Sequence, residues 1–138
     1  PWAAELVDSL TAIDIAAEHI ADDQLSNALV AKTLDILTAN IGGLRTQGTV
    51  TDLWNGHREF ASAIASEVLD IQDWLVGEPV DRDLAVQGMV AAIDGDPEHG
   101  TTGRSAPRRL ARAIGNASAA GSETPLLVDI GREAGLAV

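Results

Sequence analysis

The 138-residue chain is 46% hydrophobic and 22% charged, the balance of a folded domain rather than a disordered one, and its length closes one core rather than two. Twenty-one acidic residues against nine basic ones leave a formal charge of −12, a surface that repels nucleic acid and anionic membranes. There is no cysteine, which excludes disulfides, thiolate metal sites and a cysteine nucleophile, and no apolar run approaches the ~18 residues of a membrane span or the pattern of a signal peptide.

A cytoplasmic home is the simplest reading of these features. The chain starts at Pro1 rather than Met, which fits either initiator removal or excision from something longer. Aromatics are only 3% of the residues, so the core must be built from Leu, Ile, Val and Ala. The basic residues are eight Arg and a single Lys, Lys32.

From the N-terminus, Leu6, Leu10, Ile13, Ala17 and Ile20 recur at steps of three and four, which predicts a first helix ending near Ile13 or His19. Asp22 and Asp23 offer a cap for a second helix. Its apolar residues, Leu25, Leu29, Leu34, Ile36, Leu37 and Ile41, cover more than one stripe and predict burial on two sides. Gly42 and Gly43 are expected to close it.

After a loop from Leu44 to Val50, Thr51 is expected to cap a third helix. His57, Ala61, Ile64, Val68, Ile71 and Leu75 form its seam, too short for a coiled coil but suited to a bundle. Gly77 and Pro79 end it, and Asp81 begins a fourth helix carrying Leu84, Val86, Met89, Val90 and Ile93. Residues Asp94 to Gly103 read as a long polar loop. Pro107 suits the first position of a fifth helix through Ile114, residues 115 to 124 are small and polar, and Pro125 opens a last helix ended by Gly135. The expectation is an all-α, single-domain bundle of about six helices over residues 1–138.

Some residue groups have chemical potential. Lys32 sits mid-helix beside Ala28, Leu29 and Ile36; on a semi-buried face it would serve as a proton donor, at a boundary it would snorkel to water. Arg104, Arg108, Arg109 and Arg112 bracket the start of the fifth helix, where they either bind an anion or pair with the surrounding carboxylates. Asp94, Asp96 and Glu98 resemble a cation loop, but a calcium-binding EF-hand wants Gly and Glu where His99 and Ser105 stand. His19, His57 and His99 fall on separate elements, so no metal site is expected. No glycine-rich phosphate loop, nucleophile elbow or dinucleotide fingerprint occurs, and the chain alone is not a complete enzyme.

The opening AAELVDSLTAIDIAAEHIADDQLSNALVAK contains a short amphipathic helix, a small-residue turn, an Asp-Asp pair and a run ending in Lys32. With the long helix from HREF, the QGMVAAIDG helix and the closing TPLLVDIGREAGLAV, this order resembles the C-terminal helical half of the ketopantoate reductase family, within the 6-phosphogluconate-dehydrogenase-like group. Val30 replaces the family's Trp, and Lys32 occupies its Lys. Ile36 departs from the Asn found four residues after that Lys, while Asn40 matches the one found eight after it.

The resemblance implies hydride transfer from NADPH to the ketone of a 2-oxo acid. Lys32 would be the general acid, Asn40 and Ser105 would hold substrate, and Glu123 would meet its hydroxyl. The NADP-binding Rossmann domain precedes this region in the family and is absent from the chain, so it would lie elsewhere in the protein or in a partner chain. The resemblance further implies a substrate-binding and dimerisation role in a homodimer, with no metal. The contrasting expectation is a non-enzymatic helical interaction module that assembles through the seam of the third helix.

Overall fold

A computed structural model describes residues 2–138; Pro1 lies outside the described residues. Seven α-helices follow one another: α1 (Trp2–Thr11), α2 (Leu25–Thr46), α3 (Val50–Gly56), α4 (Arg58–Val76), α5 (Arg82–Gly95), α6 (Ala106–Ala120) and α7 (Pro125–Glu133). A 3₁₀ turn, Asp22–Gln24, leads into α2. Among the described residues there is no strand, only one isolated bridge between Thr49 and Gly100. Among the described residues no helix is long and apolar enough to cross a membrane. The all-α bundle expected from the sequence is what forms.

The second helix is the axis of the bundle. α2 packs against α3, α4, α5, α6 and α7, which is why its apolar residues spread over several stripes; Leu34 and Ile41 are fully buried. Gly42 and Gly43 do not close it, as the sequence led us to expect, and the helix runs one turn further to Thr46. A side chain at Gly43 would collide with Thr101, and one at Gly42 would meet Leu53 at 2.7 Å, so these glycines admit neighbours rather than bend the chain. The end comes at Gln47, whose N–H donates to the Gly43 carbonyl at 2.9 Å with φ 57°, followed by Gly48 at φ 80°.

The helix expected from Thr51 onward is two helices. The cap is Thr49, whose hydroxyl accepts from Asp52 N–H at 3.1 Å while Thr49 N–H donates to the Asp52 carboxylate at 2.9 Å. Thr51 instead donates its hydroxyl to the Pro97 carbonyl at 2.8 Å. The break falls at His57 (φ −134°, ψ 43°), after Asn55 and Gly56, two poor helix formers. Arg58 seals it by donating to the Trp54 carbonyl at 2.6 Å and lying over the Trp54 ring. Of the expected seam, Ala61, Ile64, Val68 and Ile71 are buried as predicted, whereas His57 and Leu75 at its ends are exposed.

Gly77 ends α4 at φ 86°, and Asp81 caps α5 by accepting Leu84 N–H at 3.0 Å. From the first position of α5, Arg82 reaches back to α4 and bridges Asp70 at 2.7 Å and Asp73 at 2.9 Å. The loop from Asp94 to Gly103 is exposed except at one point. Thr101 is fully buried and donates both its N–H and its hydroxyl to the Gly48 carbonyl at 3.0 Å. α6 continues past Ile114 to Ala120, because Ala113 and Ala117 pack into the core; the small residues there mark close helix packing instead of the expected loop. α1 stops at Thr11, short of the predicted end, and buries no residue.

Candidate functional site

Three helices frame a groove of about 440 Å³. α2 contributes Thr33, Ile36 and Leu37, α4 contributes Ile71, Gln72 and Leu75, and α6 contributes Arg109, Arg112, Ala113 and Asn116. The mixture of an aliphatic wall with a few convergent polar groups is the usual composition of a small-molecule site.

Arg109 organises the polar end. Its Nη1 donates to Asn40 Oδ1 at 2.7 Å, and Asn40 Nδ2 donates in turn to the Thr101 carbonyl at 3.1 Å. Arg109 N–H donates to the Ser105 carbonyl at 2.9 Å, which is the first turn of α6. The guanidinium is therefore held by a neutral amide, in the helical turn where the backbone dipole already favours anions.

Among the described residues no carboxylate pairs with Arg104, Arg108, Arg109 or Arg112, although the chain has more than twice as many acids as bases. Of the two readings open at the sequence level, pairing with neighbouring acids is not what the fold provides. The reason is visible in the chain itself: from His99 to Ser122 there is no Asp or Glu. Gln72 adds a second signal. It is only 6% exposed and lines the groove, yet its amide makes no hydrogen bond to the other described residues. Its amide atoms are not among the buried polar atoms left without a partner, so they reach solvent in the groove, where a ligand could also meet them.

The residues singled out from the sequence do not all converge here. Asn40 reaches Arg109 by its side chain, whereas Ser105 is joined to Arg109 only by the ordinary backbone bond of the first turn of α6, and neither residue is among those lining the groove. Ser105 stands at the N-cap position of α6 without a side-chain capping bond. Lys32 lies on the turn that supplies Thr33 and Ile36, but its side chain is 66% exposed and its Nζ sits 3.5 Å from Asp35 Oδ2, away from the groove lining. Glu123 is at the opposite end of α6, on a shallower depression of about 530 Å³ shared with Ser118, Asp129 and Arg132.

Sequence reasoning missed Gln72, Asn116 and the central role of Arg109 within its cluster. Gln72 was legible as a polar residue one position after the buried Ile71. The Arg109–Asn40 pair spans 69 residues and had no local signal.

Among the described residues no group of three His, Cys, Asp or Glu side chains is placed to hold a metal. The aliphatic wall beside two guanidinium groups is an arrangement that could hold and orient an anionic, partly apolar molecule. No family model, curated protein or solved structure matches this chain.

Proposed function

We propose that the chain is the substrate-side, dimer-forming helical domain of an NAD(P)H-dependent reductase of 2-oxo acids, with the α2/α4/α6 groove as the substrate wall. The observation that carries the reading is Arg109, fixed by Asn40 and free of any carboxylate, beside the unpartnered Gln72 amide. A substrate carboxylate would take the Arg109 and Arg112 guanidiniums, whose planar fork matches it. Ile36, Leu37, Ile71 and Leu75 would cover its alkyl part. Binding energy spent on the carboxylate would hold the ketone in one orientation.

The groove residues do not fit the dinucleotide itself. The lining has no glycine-rich turn, and about 440 Å³ suits a small acid. In this reading NADP is held by a Rossmann domain outside the chain. Lys32, at the rim, would serve as proton donor by turning from Asp35 toward the groove one turn away. Glu123 lies outside the groove and is given no role in it.

The test is titration of the chain with 2-oxobutanoate and with butanoate, followed by backbone amide shifts. Saturable shifts centred on α6 and Gln72, weakened at least ~tenfold by Arg109→Met and unchanged by Glu123→Gln, support the reading. Absence of saturation, or equal binding by Arg109→Met, overturns it. The uncovered apolar face of α1 favours a second reading, a helical assembly module, whose sign is stable self-association without binding of either acid.

A further inference from the structure

α4 packs against both α2 and α6, and the face it turns to the groove carries a polar side chain in an apolar register. Val68, Ile71 and Leu75 recur at steps of three and four, and Gln72 stands four residues after Val68 and three before Leu75, on that same face. Val68 and Ile71 are buried, and Gln72 is buried with them. A leucine would satisfy the register with no polar atom to provide for, whereas a glutamine brings an amide that needs hydrogen-bond partners.

The polar residues lining the groove are Thr33, Gln72, Arg109, Arg112 and Asn116. Of these Gln72 alone is buried; the other four are half-buried or exposed. The rest of the lining is aliphatic. In the open groove solvent serves the Gln72 amide. A ligand whose alkyl part covers the groove expels that solvent, and the NH₂ then either meets an oxygen of the ligand or is stranded against hydrocarbon. The amide is neutral and adds little to the hold on a carboxylate that two guanidiniums already receive, so what it distinguishes is an uncharged oxygen.

We propose that Gln72 sets the specificity of the groove, admitting acids with a carbonyl oxygen on the chain and rejecting plain alkanoic acids of the same length. The inference rests on the carboxylate site at Arg109 put forward above and gives that site its selecting residue. Gln72 NH₂ donates to the substrate's carbonyl oxygen. Discrimination comes chiefly as a penalty, because a plain alkanoate of similar shape leaves the NH₂ unpaired in a dry wall.

Titration of the isotope-labelled full chain with 2-oxobutanoate and with butanoate, at neutral pH where both are ionised, tests this by affinity and by the side-chain NH₂ signals of Gln72. The wild type is expected to bind 2-oxobutanoate at least ~tenfold more tightly than butanoate, with the Gln72 NH₂ signals moving to saturation as the oxo acid is added. Gln72→Met keeps the length and removes the amide, and should bring the two acids within ~twofold of each other, whereas Arg109→Met weakens both alike. Three results overturn the inference while leaving the carboxylate site standing: equal binding of the two acids by the wild type, a preference that survives Gln72→Met, or Gln72 NH₂ signals that bound 2-oxobutanoate does not move. The first and third need no variant to fold. Binding of neither acid overturns the carboxylate site and this inference together.

Discussion

The Glu67 carboxylate on α4 accepts the backbone N–H of Leu127 at 2.9 Å, and its other oxygen accepts that of Leu126 at the same distance. α7 has Thr124 at its N-cap position but no side-chain cap there, so a residue 60 positions away does the capping. Glu67→Ala should destabilise the domain by about 1–2 kcal/mol, the usual range for loss of a cap. Urea unfolding measures it, and a change no larger than that of a surface substitution would remove Glu67 from this role.

Gly43→Ala is expected to cost about 2 kcal/mol, because the new methyl meets Thr101, itself fixed by two hydrogen bonds to Gly48. Gly56→Ala meets nothing within 4 Å and should be neutral or stabilising by up to about 1 kcal/mol. Opposite signs in paired thermal melts check the distinction.

Thr38 is 3% exposed, and its hydroxyl has no hydrogen-bond partner in the structure. Replacing it with the near-isosteric valine keeps the shape and removes the orphaned group, so Thr38→Val should raise stability by about 1 kcal/mol. A loss of stability on chemical denaturation refutes this.

Asp52 is held below the ordinary aspartate pKa, first by the Thr49 backbone N–H and then by the Thr49 hydroxyl. The folded value being the lower one, the capping box contributes fully above the unfolded pKa, and the contribution is lost as pH falls through the folded one. The melting temperature of the wild type should thus fall more steeply below about pH 4 than that of Asp52→Asn. Parallel curves for the two proteins would contradict it.

Much of the architecture was open to inspection in the sequence, because local rules act locally. Asp81 and Gly77 mark helix ends through their own backbone chemistry, and the spacing from Ala61 to Ile71 gives a buried stripe whatever packs on it. Gly42 and Gly43 misled because the residue that ends a helix also lets two helices touch, and only the neighbour decides which. Gly115 misled differently: it faces open space, and the helix is carried through it by Ala113 and Ala117 packing into the core. At the site, the Arg cluster was visible as composition. Its pairing with Asn40 and the solvent-facing position of Lys32 depend on tertiary contacts that no spacing encodes.

The acid-free stretch around α6 has a consequence for what can approach the molecule. Beyond a Debye length, about 8 Å in physiological salt, an anion senses only the overall −12 and is turned away. Closer in, the four unopposed guanidiniums dominate. A polymer spanning tens of ångströms cannot place all its charge inside that near zone, whereas a single small carboxylate can, so under the proposed function the surface would favour small anions over long ones.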